Sequence, residues 1–207
     1  MEGKNWLIVG KTGSGKSYFA RELIRRSKKP YKVIVDISNE YSKDRQFAKY
    51  GYVYMGRENA YKGYDFVRLI EEKKNVLFEV GDMVNDELVF FLNNLAYCIP
   101  SNTLLVIDEA HQFFPRYRYS IGLERLLRTA RKYNIDIVMV TQMIVDLNLV
   151  ALKQARILVV FQMTEENELK KLKNYIENAE EVLPELKRGQ KIIKDLKTGQ
   201  TWFEDKI

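Results

Sequence analysis

The sequence predicts an α/β fold: a mainly parallel β-sheet flanked by helices on both faces, closed by a C-terminal β-hairpin. Three observations lead there. Short apolar runs alternate along the chain with helical amphipathic segments. Several runs are apolar at every position, the pattern of strands buried on both faces. A glycine-rich loop joins the first run to the first helix.

Asn5 to Val9 is an apolar run closed by Gly10 and reads as a buried strand. Ser17 to Ser27 has helical spacing. Phe19, Ala20, Leu23 and Ile24 fall on one side, Arg21, Glu22, Arg25 and Arg26 mostly on the other, and Pro30 marks the stop beyond. Val33 to Asp36 is a second strand, Tyr52 to Met55 a short third and Val76 to Val80 a fourth. Asp86 to Tyr97 is an amphipathic helix. Leu104 to Ile107 is a strand ending in acid. Gly122 to Tyr133 is a helix rich in Arg and Leu, followed by strands at Ile135 to Thr141 and Ile157 to Phe161. Glu165 to Asn178 reads as a charged helix with i,i+4 pairs such as Glu166–Lys170. Gln190 to Leu196 and Gln200 to Phe203, joined through Lys197-Thr198-Gly199, form the hairpin. In a sheet of this kind ligands bind at the carboxyl ends of the strands, and every motif below is expected at such an end.

The chain has 207 residues, 46% of them hydrophobic, which suits one domain, 1–207, with a sizeable core. Four prolines and no Ser/Gly-rich tract give no linker. The lone Cys98 excludes an internal disulfide and a multi-cysteine metal site, and reads as a small core residue in a reducing compartment. No apolar run reaches the roughly 18 residues of a membrane span, and the N-terminus lacks the pattern of a signal peptide. A soluble, cytoplasmic protein is expected. Lys and Arg number 34 against 28 Asp and Glu, a formal +6 that suits a polyanionic partner or simply a lysine-rich surface.

Gly10-Lys11-Thr12-Gly13-Ser14-Gly15-Lys16-Ser17 fits the Walker A pattern G-x-x-x-x-G-K-[ST] completely, with a strand before it and a helix after. A chance match has odds of roughly one in a hundred at ordinary glycine usage. The glycines let the backbone wrap phosphate, and the helix that follows presents its positive end. Lys16 can reach the β- and γ-phosphates, and the Ser17 hydroxyl can ligate Mg²⁺. The binding segment, taken to include Tyr18, therefore implies ATP with Mg²⁺. Asp108 and Glu109 end a strand. Asp108 suits the Mg²⁺ shell, the Walker B role, and Glu109 suits deprotonation of the attacking water. That pair points to hydrolysis rather than transfer to an acceptor.

Gln142 ends another strand, where it can touch the γ-phosphate or the water, or simply face solvent. Arg125, Arg128 and Arg131 recur every three residues. They read either as a stripe offering an arginine finger to a neighbouring subunit or as a solvated face. Pro115-Arg116-Tyr117-Arg118-Tyr119 interleaves cations and aromatics in a loop that can grip nucleic acid or only pack. His111, the only histidine, couples nucleotide state to that loop or is a plain helix-start residue.

At these residues the chain resembles the HerA–FtsK superfamily of P-loop motor ATPases. Val33-Ile34-Val35-Asp36 with Glu40-Tyr41 resembles the family's second strand. Asp108-Glu109-Ala110-His111-Gln112-Phe113-Phe114-Pro115 is similar to the HerA-type Walker B segment. Ala130-Arg131-Lys132-Tyr133-Asn134, leading to Val140-Thr141-Gln142, looks like the arginine-bearing helix and sensor strand. Leu186-Lys187-Arg188-Gly189-Gln190 resembles the late Leu-x-x-Gly-Gln segment. Asn134 stands where relatives often carry glycine, a mild change because asparagine tolerates φ > 0. Arg156 is a rival finger, since the family also carries arginine there.

The resemblance implies a RecA-like (ASCE) P-loop NTPase fold and a bare motor domain. It is nearest to the compact genome-packaging ATPases of membrane-containing icosahedral viruses. It further implies a homo-hexameric ring that drives double-stranded DNA without sequence preference in the host cytoplasm, docked to capsid or membrane-associated viral proteins. The alternatives are a HerA-like DNA-processing or conjugation-type ATPase, a small nucleoside or nucleotide kinase, and a slow nucleotide switch. The Asp108-Glu109 pair argues against the last two.

Overall fold

A computed structural model describes residues 3–57, 65–115 and 120–205. Nine strands form one sheet in the order β3-β4-β2-β5-β6-β1-β7-β8-β9. They are β1 Asn5–Val9, β2 Tyr31–Asp36, β3 Gly51–Tyr54, β4 Asn75–Glu79, β5 Thr103–Ile107, β6 Asp136–Thr141, β7 Ile157–Phe161, β8 Lys191–Asp195 and β9 Thr201–Glu204. The first seven in chain order are mutually parallel, and β8 and β9 are antiparallel additions, as the sequence predicts. β6 lies between β1 and β5, so the strand that feeds the glycine loop and the strand that ends in acid are not neighbours. This is the RecA-like, ASCE-type arrangement.

The helices are α1 Lys16–Arg26, α2 Phe66–Lys73, α3 Asn85–Cys98, α4 Ala110–Phe113, α5 Ile121–Thr129, α6 Leu149–Gln154, α7 Glu166–Leu172 and α8 Ala179–Glu185. They divide unevenly between the faces. Ile8, Ile34 and Val106 pack with Ala20 and Ile24 of α1. Leu7, Val9 and Val35 point the other way, into a larger core built with α2 to α8. Adjacent residues of one strand serve opposite cores, which is why these strands are apolar throughout. Cys98 is half-buried against the larger core. Among the described residues, no helix is long and apolar enough to cross a membrane.

Three expectations need correction. The helix expected over Gly122 to Tyr133 stops at Thr129, so Arg131 lies in the turn beyond it. Asn134 closes that turn at φ 54°, as its tolerance of positive φ foreshadows. The charged helix expected over Glu165 to Asn178 ends at Leu172, and a second short helix starts only at Ala179. Asn178 takes φ 51°, and the turn before it lets Leu172, Ile176 and Ala179 all reach the core. The strand expected from Ile135 begins at Asp136, whose carboxylate accepts the Lys4 N–H at 2.8 Å.

Candidate nucleotide-binding site

The loop of Gly10 to Ser17 leaves the carboxyl end of β1 and turns into α1. Gly13 and Gly15 have φ of 75° and 117°, a region side chains rarely enter. At Gly10 the constraint is space: a Cβ there would lie 2.7 Å from the Phe161 Cβ. Gly15 is the N-cap of α1 and offers no side-chain cap. No side chain therefore competes with an anion for the first-turn N–H groups at the positive end of the helix. The loop is braced from two sides. The Lys11 N–H donates to the Gln162 carbonyl at 2.8 Å, beyond β7, and the Gly189 N–H donates to the Ser14 carbonyl at 3.0 Å. The segment Leu186 to Gln190 thus lies against the loop.

Lys16 is 6% exposed, and its ammonium donates to the Lys11 carbonyl at 2.9 Å. Burial pulls its pKa down, while Glu109, Asp108 and Glu40 push it back up. Those acids come from two strand ends. Asp36, fully buried at the end of β2, accepts the N–H groups of Glu40, Tyr41 and Ser42 at 3.2, 3.1 and 2.8 Å. It fixes the turn that presents Ser38 and Glu40. The Ser38 hydroxyl donates to Asp108 at the end of β5. Sequence reasoning missed Ser38. Its only signal was its place between Asp36 and Glu40.

Glu109 has φ 45° and ψ 52°, left-handed backbone in a non-glycine residue. The Gln142 amide donates to Glu109 Oε1 at 2.6 Å, and the Thr12 hydroxyl donates to Gln142 Oε1 at 2.5 Å. One side chain from the end of β6 therefore links the glycine loop to Glu109. His111 Nδ1 lies 3.4 Å from Glu109 Oε2 and 3.0 Å from Thr141 Oγ1, so the histidine sides with the carboxylate. Burial chiefly lowers its pKa. Ser17 is half-buried and Tyr18 is exposed.

The Asp108 carboxyl is pushed up to about 7, first by burial, and Glu109, Asp36 and Glu40 add to the effect against the Ser38 bond. The folded protein thus favours the protonated form, whereas an unfolded Asp ionises near 3.8. Stability from this group is full below about pH 4 and lost as pH rises through about 7. Asp36 and Glu168 shift in the same sense. The nucleotide-free protein should therefore melt at lower temperature as pH rises from 5 to 8. Asp108→Asn should flatten the steepest part of that decline, which thermal melts across the range will check.

Lys16, Asp108, Glu109, Gln142, Thr12 and Glu40 thus converge at the carboxyl end of the sheet. Arg128 and Arg131 do not, contrary to the expectation for every motif. They line a cleft with Gly3, Asn5 and Arg156, at the amino end of β1 and β7. The helix before a parallel strand delivers its last turn to that strand's start, hence to the far end from the nucleotide loop. Arg128 pairs with Glu124 at 2.7 Å, and Arg125 stacks over Tyr97 at 5.8 Å. The loop of Arg116 to Tyr119 lies outside the described residues.

A mainly parallel sheet, a glycine loop running into a helix, and acids ending a nearby strand define a P-loop NTPase fold. A family model described as the central domain of the helicase HerA matches residues 3–201. The chain belongs to this HerA family. Its fold is that of the HerA–FtsK-type viral packaging ATPases. The crystal structure of B204, the DNA-packaging ATPase of Sulfolobus turreted icosahedral virus, is 25% identical, with 100% of each chain covered and a TM-score of 0.71. The genome-packaging NTPase B204 of Sulfolobus turreted icosahedral virus 2, with sulfate, is 22% identical over 100% of this chain and 98% of that one, at TM-score 0.74. VirB4 of Thermoanaerobacter pseudethanolicus is 15% identical over 98% and 89%, also at 0.74. Comparison with curated protein sequences gives no match.

Proposed function

We propose that this chain is a single-domain ATPase motor that drives double-stranded DNA through a homo-hexameric ring, packaging a viral genome in the host cytoplasm. The observation that carries the reading is the Gln142 side chain, bonded to Thr12 on one side and Glu109 on the other. It joins the glycine loop to the Glu109 carboxylate, which in this reading activates water. Membership of the HerA family supports the motor class. The B204 proteins support packaging, and one of them has been solved with AMPPCP and with ATP-γS. The fold likeness to VirB4 favours a second reading, a conjugation-type or HerA-like DNA-processing ATPase.

In this reading Gly10 to Tyr18 holds ATP, and Lys16 meets the β- and γ-phosphates. Mg²⁺ fits the donors present. Ser17 and Asp108 are hard oxygen ligands, and Asp108 is a buried carboxyl whose neighbours add negative charge. Among the described residues no group of three or more His, Cys, Asp or Glu could hold a metal alone. That suits a cation shared with phosphates and water. Bound there, it would neutralise charge on the phosphates. Glu109 takes the proton from the attacking water, and Gln142 reports whether the γ-phosphate is present.

ATP turnover without a phosphate acceptor, raised by duplex DNA, tests the function; a strict need for an acceptor would make this a kinase. The loop of Arg116 to Tyr119 is proposed to grip DNA at the ring's centre, its arginines on phosphate oxygens. Arg116→Ala with Arg118→Ala should lower the slope of log affinity against log salt by about 0.9 for every phosphate left without its cation, and uncouple turnover from DNA. Parental salt dependence and stimulation in an assembled double variant would remove the loop from the mechanism.

Arg131, with Arg128 and Arg156 as rivals, is proposed as the finger given to the next subunit. Its place at the far end of the sheet from its own nucleotide loop suits action in trans. Arg131→Ala should spare nucleotide binding and bring DNA-stimulated turnover down to the basal rate. Mixed with Glu109→Gln subunits, it should recover part of that activity. Proven co-assembly with no recovery would count against a finger acting between subunits.

A further inference from the structure

The glycine loop has little of its own to hold its shape. A Cβ at Gly13 would meet open space, and Gly13 and Gly15 both have positive φ. Its shape is imposed from the side of β7 and β8, where one row of residues crosses the sheet. In the β8–β9 ladder Lys191 faces Glu204, and in the β7–β8 ladder it faces Phe161. Val160 faces Val9 in the β1–β7 ladder, and Phe161 and Gly10 are the next residue on each side, so the row ends in the loop. Phe161 underlies the loop at two points. A Cβ at Gly10 would lie 2.7 Å from its Cβ, and one at Gly15 would lie 3.3 Å from its Cε1. Lys191 is fully buried. Its ammonium pairs with Glu204 at 2.8 Å and lies 5.2 Å from the Phe19 ring centre and 6.0 Å from that of Phe161. The two rings meet edge to face with centroids 6.0 Å apart. Phe19 belongs to α1, the helix into which the loop runs. Two residues before Lys191, the Gly189 N–H donates to the Ser14 carbonyl.

We propose that Lys191 is a positioning residue for nucleotide binding: through Phe161 and Phe19 it fixes the shape of the Gly10 to Ser17 loop. The proposal rests on the reading that this loop holds ATP, and it adds a residue outside the motif. A buried ammonium is costly even when paired, and an apolar side chain of similar length as a rule serves a core at least as well. What the charge adds is direction. An ammonium attracted to two rings sets the tilt of both. Apolar packing in its place keeps stability but loses uniqueness. Phe161, so fixed, presents one surface to Gly10 and Gly15. The Glu204 carboxylate, 42% exposed on the edge strand, holds the ammonium from the other side.

The test compares the full parental chain with Lys191→Met, which keeps the length and apolar body of the side chain and removes the charge. The melting temperature should stay at or above the parent's. ATP titration should show affinity weakened about tenfold, the scale of two ring–cation contacts. KM should rise with it while kcat stays within a few-fold, because Glu109 and Gln142 reach the loop from β5 and β6, on the other side of β1. Phe203→Ala is the control. That side chain is 53% exposed on β9 and stands opposite Ile192, outside the row. Trimming it weakens the hairpin and should leave ATP affinity at the parental value. Should Lys191→Met fail to fold, Glu204→Gln decides. It leaves the ammonium in place, removes the charge that holds it, and should weaken ATP binding in the same direction by a smaller factor. Parental affinity in folded Lys191→Met, or in Glu204→Gln if the first variant does not fold, overturns the proposal. So does an equal loss in Phe203→Ala, which would make hairpin stability the cause. If the parent itself binds no ATP, the nucleotide reading fails before any variant is compared, and this proposal falls with it.

Discussion

Lys16→Ala is expected to lower ATP turnover by about 10³-fold, the scale on which removal of one preorganised donor to transition-state charge is felt. The reason lies in what surrounds this ammonium. It is 6% exposed, and Glu109, Asp108 and Glu40 all favour its charge. No water can replace it at low cost. Its present bond, to the Lys11 carbonyl at 2.9 Å, lies within the loop itself, so a phosphate has only to draw the side chain off one carbonyl. Removing it also leaves the three acids facing one another, which disfavours a polyanionic ligand there. Steady-state turnover and nucleotide titration of the purified variant measure both effects. Unchanged turnover would end the phosphate-binding assignment.

Glu109→Gln is expected to keep nucleotide binding and lower hydrolysis by about 10²–10⁴-fold, the usual contribution of a general base. The substitution is close to isosteric, and the new carbonyl can still accept the Gln142 N–H that Oε1 accepts now at 2.6 Å. What is lost is the capacity to take a proton. Stopped turnover with normal binding is therefore the expected split. Turnover within a few-fold of the parent would move the base elsewhere. Glu40 comes next, since the turn fixed by Asp36 brings its charge to bear on both Lys16 and Asp108.

Much of this was legible because the strands carry their own signature. Leu104 to Ile107 and Ile157 to Phe161 are apolar at each position, and no other element of that length buries both faces. The glycine loop was legible because its backbone demands specific residues. Less readable were features set by distance across the fold. Gln142 and Glu109 are 33 positions apart, and their bond follows from strand order rather than from any local pattern. The arginine triplet shows why periodicity alone falls short. Its spacing describes a helix face but carries no information on which end of the sheet that helix delivers. The break between Leu172 and Ala179 was hidden because Ile176 is buried in a stretch that otherwise reads as polar helix.

The left-handed backbone at Glu109 carries a consequence for how this site trades stability against activity. A non-glycine residue at φ 45° holds conformational strain of order 1 kcal/mol. Glycine would relieve it, so the fold alone would be better served by a residue with no side chain at all. The carboxylate is kept there at the expense of the ground state. The strain is borne by its neighbours: the Asp108 N–H bonded to the Val35 carbonyl at 3.0 Å before it, and buried Ala110 after it. If Glu109 is the base proposed above, selection for thermal robustness would press on position 109, and selection for turnover would press back.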